Sequence, residues 1–158
     1  MNENNNIFVA EKYAEWTSNL DVNDIPEEVK NKLQIVVMDS LGLMASAKNE
    51  PYVQSLIEAL QGNGNCSLIG HNKKLSPFNA SIVNGTAVHG EDFDDTFEGT
   101  PVHVGAVMVP AMLATIQEKK LTGAEFLKGL TIGSELICRL ALVAVSYTHL
   151  TLPTIYSV

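Results

Sequence analysis

Residues 76–104 read SPFNASIVNGTAVHGEDFDDTFEGTPVHV, and this stretch decides how the chain is organised. Ser76 followed by Pro77 is a helix start: a hydroxyl that can accept from a free amide, then a residue whose fixed φ suits the first turn. The apolar, small-residue segment that follows is expected to stay helical through about Val88. Five carboxylates in eight residues (Glu91, Asp92, Asp94, Asp95 and Glu98) then mark an acidic loop from Gly90 to roughly Pro101. Beyond it, His103 to Glu118 is again apolar, with Pro110 inside. A proline in mid-helix removes a hydrogen bond and crowds the preceding turn, so a kink or restart is expected there.

The flanking sequence extends the helical reading. Ile7 to Leu20 is moderately amphipathic. Asp24 reads as an N-cap, with Pro26 in the first turn and Glu27-Glu28 at the positive end of the helix dipole. Val29, Leu33, Val37, Leu41 and Met44 then recur every three or four residues, as a buried stripe would. A short helix from Pro51 to Leu60 ends at Gly62-Asn63-Gly64-Asn65, and Cys66 to Gly70 is a short strand or an extended link. Thr122 and Glu125 form a Thr-x-x-Glu capping box for a last helix running to about Val145. The fold class is therefore mainly α, with no internal repeat.

All 28 charged residues precede residue 146, and the final stretch, SYTHLTLPTIYSV, has none. Its threonines and Pro153 continue no helical period from Leu140 to Val143. The reading is a helical domain over 1–145 and a non-native read-through tail over 146–158.

Composition excludes several function classes. The 158 residues carry 10 Lys and Arg against 18 Asp and Glu, a formal charge of −8. Phosphate backbones and anionic membranes attract clustered basic residues, whereas the only basic pairs here are Lys73-Lys74 and Lys119-Lys120. A nucleic-acid partner is not expected. Apolar residues at 46% are too many for a disordered chain. The longest uncharged apolar run, Val104 to Ile116, falls short of the roughly 20 residues a membrane span requires. Met1 to Asn6 lacks the basic start and apolar core of a signal peptide. Cys66 and Cys138 form no disulfide framework or paired metal spacing and read as buried thiols. A cytoplasmic protein is expected.

The chemistry concentrates in Asn84 to His103. Phe93 and Phe97, interleaved with the acids, are expected to anchor the loop on the core and hold some carboxylates partly desolvated. His89 and His103 flank it, and histidine beside carboxylates is the usual arrangement for proton transfer near neutral pH. Three readings are open. In the first, His103 moves a proton, Asp92 orients it or the substrate, and Thr96 donates a hydrogen bond. In the second, Asp94-Asp95-Thr96-Phe97-Glu98 is an Asp-Asp-x-x-Glu site holding Mg²⁺ against a diphosphate, although no second metal motif or basic diphosphate contact accompanies it. In the third, Asp94 and Asp95 merely satisfy backbone N–H groups at a helix start. His89 reads as a satisfied helix-end histidine, and Asp39 and Arg139 as structural, Arg139 through an i,i+4 pair with Glu135.

The segment Asn84-Gly85…His89…Asp92-Phe93-Asp94-Asp95-Thr96…His103 closely resembles the signature of the MmgE/PrpD family. Val37-Met38-Asp39-Ser40-Leu41-Gly42, Gly123-Ala124-Glu125 and Glu135…Arg139 extend the resemblance over nearly all of residues 7–145. That family comprises 2-methylcitrate dehydratases, cis-aconitate decarboxylases and an iminodisuccinate epimerase. The resemblance implies the N-terminal part of a large all-helical domain, with the smaller α/β lid absent. It also implies a small di- or tricarboxylate substrate, a homodimeric parent and no metal or cofactor. Asp92, Thr96 and His103 match the motif's catalytic and substrate-binding positions, while Val104 stands where many members have proline. A further histidine and substrate-binding lysines would lie beyond Val145, so the chain alone is expected to be inactive. Without partner helices, Val104 to Ile116 is expected to form an exposed apolar patch.

Overall fold

The computed structural model describes residues 8–155, with 145–155 described by backbone alone. Six helices carry it: α1 (Val9–Asn19), α2 (Glu27–Ser46), α3 (Pro51–Ala59), α4 (Pro77–His89), α5 (Val104–Lys119) and α6 (Gly123–Ile155). Between α3 and α4 lies a two-stranded antiparallel ribbon, β1 (Cys66–Ser67) and β2 (Lys74–Leu75), with Cys66 opposite Leu75 and Ser67 opposite Lys74. The mainly helical class is as expected. Among the described residues, no helix is long and apolar enough to cross a membrane.

Helix starts follow local chemistry. Ser76 Oγ accepts from the Asn79 amide, with Pro77 in the first turn of α4. Thr122 and Glu125 bond reciprocally: Thr122 N–H donates to Glu125 Oε2 at 2.7 Å, and Glu125 N–H to Thr122 Oγ1 at 3.3 Å. The Thr122 amide, and then its hydroxyl, both donating to the carboxylate, hold Glu125 below its usual range. The start of α2 differs from expectation. Pro26 is its N-cap, and Asp24 belongs to a separate 3-10 turn over Val22–Asp24 capped by Asp21. Buried Ile25 fixes the joint between the two. The expected start of α1 at Ile7 lies outside the described residues.

The core is built around α4 and α5, which pack on each other, on α2 and on the ribbon. Met44, Val53, Leu68, Leu75, Val83, Val88 and Val109 are among its fully buried apolar side chains. Of the α2 stripe, Leu33 and Met44 are buried and Val37 and Leu41 half-buried, while Val29 is exposed. Asn84 is a buried polar clamp. Its Oδ1 accepts from the Ile69 amide at 3.1 Å, and its Nδ2 donates to the Ser67 carbonyl at 3.0 Å, fastening the ribbon to α4. Lys73 Nζ donates to the Ile57 carbonyl at 2.8 Å and so closes the C-terminal end of α3. At the other edge α1, which buries no residue, docks through the Tyr13 hydroxyl donating to the Ile132 carbonyl of α6.

Four expectations are corrected. Helix α5 does not restart at Pro110. The missing proline N–H frees the Ala106 carbonyl, and Gly85 lets α4 approach it so closely that a Cβ there would lie 3.1 Å from that oxygen. Nor is α5 an exposed patch: Val104, Val109, Pro110 and Ala114 are buried between α4 and α6. Gly129 and Gly133 of α6 admit the Met112 and Met108 side chains of α5. On α5 only Val107 is a large apolar residue left exposed among the described residues; others lie on α2 (Ile35, Met38), at the starts of α1 (Phe8, Val9) and α4 (Phe78), on α6 (Leu140, Val143) and at Phe93. Helix α6 continues past Val145 to Ile155, running through Pro153. Finally, only Cys66 is fully buried, its thiol donating to the Ala114 carbonyl at 3.3 Å, whereas Cys138 is half-buried. Burial raises both thiols above their ordinary range.

Candidate active site

The acidic loop between α4 and α5 is held at both ends. Near its start the Tyr52 hydroxyl of α3 donates to Glu91 Oε1 at 2.9 Å. Near its end Asp95 Oδ1 accepts from the Gly105 amide at 2.8 Å, satisfying one of the free N–H groups at the start of α5. Between them Phe97 N–H donates to the Val102 carbonyl and Thr100 N–H to the Phe97 carbonyl. Phe97 is half-buried beside Leu33 and Cys138, as an anchor should be. Phe93 is not an anchor: it is 77% exposed. Its neighbour Asp94 is the residue that turns inward.

Desolvation, followed by the bond to Glu91, pushes the Tyr52 hydroxyl up to about 12. An unfolded chain ionises tyrosine near pH 10. The group therefore contributes stability below pH 10 that is lost as pH rises towards 12. A spectrophotometric tyrosine titration is expected to show a late-ionising group that moves to lower pH in Glu91→Ala; an unchanged profile in that variant would remove the Tyr52–Glu91 tether.

Four side chains converge at the loop. His89 is the last residue of α4, and His103 the N-cap of α5. The Asp94 side chain is 1% exposed, and both imidazoles reach it: His89 Nδ1 lies 3.1 Å and His103 Nδ1 3.3 Å from Asp94 Oδ1. The first is a hydrogen bond. The second is an ion-pair distance outside hydrogen-bonding geometry, so His103 Nδ1 is a buried atom without a hydrogen-bond partner. On its other side His103 Nε2 lies 3.8 Å from Asp92 Oδ1. The two rings are 4.6 Å apart, tilted by 59°. Asp92 has φ +57°, a left-handed conformation that Asp tolerates better than most residues and that is a local strain. Both histidines line a cleft of about 690 Å³, whose other walls include Thr86, Pro101, Val107 and Ile137.

Of the residues singled out from the sequence, Asp92 and His103 come together. Thr96 is exposed and makes no hydrogen bond to the cluster among the described residues. Asp94 and Asp95 part company: the backbone-capping reading fits Asp95, whereas Asp94 is the hub of the histidine pair. His89 is a partner of that hub and more than a helix-end residue. The Asp-Asp-x-x-Glu reading finds no convergent site, because Asp94 faces the histidines, Asp95 caps α5 and Glu98 is exposed. Asp39 is exposed on α2, and Arg139 Nε pairs with Glu135 Oε2 at 2.6 Å as expected.

Comparison with known proteins gives the family. The MmgE/PrpD N-terminal domain matches residues 11–157. The chain belongs to the MmgE/PrpD family. Curated relatives include a cis-aconitate decarboxylase-like protein oryM of Aspergillus oryzae (strain ATCC 42149 / RIB 40), 27% identical over 137 residues, covering 80% of this chain and 28% of that protein. The cis-aconitate decarboxylase of Aspergillus terreus is 24% identical over 135 residues, with the same coverage. That of Mus musculus is 29% identical over 140 residues, covering 84% of this chain and 28% of that protein. This MmgE/PrpD chain thus spans less than a third of the length of the curated relatives it matches. No solved structure matches it. The family match runs past Val145, as helix α6 does.

Proposed function

We propose that the chain supplies the proton-transfer part of a lyase acting on small di- or tricarboxylates, completed in a longer protein by residues beyond this domain. The observation that carries the reading is the His103 imidazole, set between Asp94 and Asp92 at the mouth of the cleft. Dehydration, decarboxylation and epimerisation of such acids share one step, the making or quenching of a carbanion beside a carboxylate. His103 takes or returns that proton, since imidazole changes charge between about pH 5 and 8. Asp94 orients the ring from the buried side. Asp92 fixes the substrate or the outer nitrogen, and Thr96 offers a hydroxyl to the substrate once it is bound. Relatives named as cis-aconitate decarboxylases support that substrate class.

Charge explains why the domain is insufficient alone. Negative charge building on the substrate carboxylate must be met by cations or N–H donors. Among the described residues no lysine or arginine lines the cleft, and Asp92, beside its His103, carries the wrong sign. The first turn of α5 offers only the partial positive charge of a helix N-terminus. The cations therefore come from the rest of the longer protein, which we also propose is a homodimer, covering the apolar faces of α2 and α6. The purified 158-residue chain is expected to give no turnover of cis-aconitate or 2-methylcitrate, followed by substrate loss and CO₂ release. Turnover by the chain alone, abolished in His103→Ala, would show that it carries its own anion site.

A further inference from the structure

We propose that His89, Asp92, Asp94 and His103 bind a single divalent transition-metal ion of the zinc type. One donor atom from each residue can be chosen so that all four lie within 4.8 Å of one another. His89 Nδ1 and His103 Nδ1 lie 3.1 Å and 3.3 Å from Asp94 Oδ1, close to the roughly 3.4 Å edge of a tetrahedron with metal–ligand bonds of about 2.0–2.1 Å, and Asp92 completes the group from the exposed side. The supports are firm. Both histidines sit at the facing ends of the packed helices α4 and α5, and the Asp95–Gly105 bond holds the loop between them.

Two further observations point to a cation. The Asp94 carboxylate is buried, yet its ionic partners among the described residues are imidazoles and no lysine or arginine. A buried carboxylate with no fixed cation beside it is costly in the interior. A divalent ion between two carboxylates and two neutral imidazoles brings the site to zero net charge. In addition, His103 Nδ1 is buried beside Asp94 with no hydrogen-bond partner, so a nitrogen lone pair is available to an ion there. Two imidazoles with two carboxylates suit zinc, cobalt or nickel, and Mg²⁺ or Ca²⁺ poorly, because those ions take oxygen ligands.

The inference rests on geometry and stands apart from the lyase reading. The test is titration of the chelator-treated 158-residue chain with Co²⁺ at pH 7.5, then displacement by Zn²⁺. The expected result is one equivalent bound with intense visible d–d bands, loss of those bands on adding Zn²⁺, and a Zn²⁺-dependent rise in melting temperature. His89→Ala and Asp92→Asn, both at accessible side chains, are each expected to weaken binding at least about tenfold, the least that even supporting residues around a metal cost. Absence of a saturable equivalent, or equal affinity in both variants, would overturn the site. Because the readout is spectroscopic, it is decided whether or not the longer protein proves to be a lyase.

Discussion

Replacing His103 with alanine in the longer protein is expected to lower kcat about 10²–10⁴-fold, the usual worth of a positioned general acid or base. KM is expected to change much less, because His103 moves the proton and does not anchor the substrate carboxylates. The fold should survive. The His103 side chain makes no capping bond to α5, and Asp94 keeps its hydrogen bond from His89. A melting temperature near that of the parent therefore accompanies the kinetic loss. Steady-state kinetics with cis-aconitate and with 2-methylcitrate decide the matter. Unchanged kcat on the true substrate would remove His103 from the mechanism. A rise in KM alone would make it a binding residue.

Several of these features were legible in the sequence, and each for a local reason. Ser76-Pro77 and Thr122…Glu125 announce helix starts because capping depends on residues a turn apart. His103 and Asp92 could be paired because histidines flanking a run of acids restrict the partners. What could not be read is which of two identical neighbours faces inward. Asp94 and Asp95 have the same chemistry, yet one binds two imidazoles and the other a helix amide. Phe93 and Phe97 divide in the same way, one exposed and one half-buried. That choice is made by where α5 begins, a tertiary fact. The continuity of α5 through Pro110 was equally hidden, since it depends on the approach of α4 at Gly85. The one available signal for the hub was that Asp94 lies five residues from His89 and nine from His103, within reach of both if the loop doubles back.

A large stability effect of a one-methyl change is expected at Gly105. A Cβ there would lie 2.2 Å from Asp95 Oδ1 and 3.0 Å from both Ser40 Oγ and Val36 Cγ1. The oxygen it strikes is the one that accepts from the Gly105 amide, so the methyl group and the capping bond cannot coexist. Overpacking costs about 1–3 kcal/mol and loss of a capping bond about 1 kcal/mol, so Gly105→Ala should destabilise the chain by about 2–4 kcal/mol. The same substitution at Gly42, in mid-α2 with nothing within 4 Å of the added methyl, should instead stabilise it by about 0.5–1 kcal/mol through reduced chain entropy. Urea unfolding of the two variants beside the parent compares like with like, because the chemical change is identical and only the surroundings differ. Asp95 also sits next to the hub. Gly105→Ala should therefore loosen the His89–Asp94–His103 cluster and weaken Co²⁺ binding, whereas Gly42→Ala leaves it intact. Equal stability of the two variants would mean that the loop is not fastened to α5 through Asp95, and the rigidity on which the site depends would have to come from elsewhere.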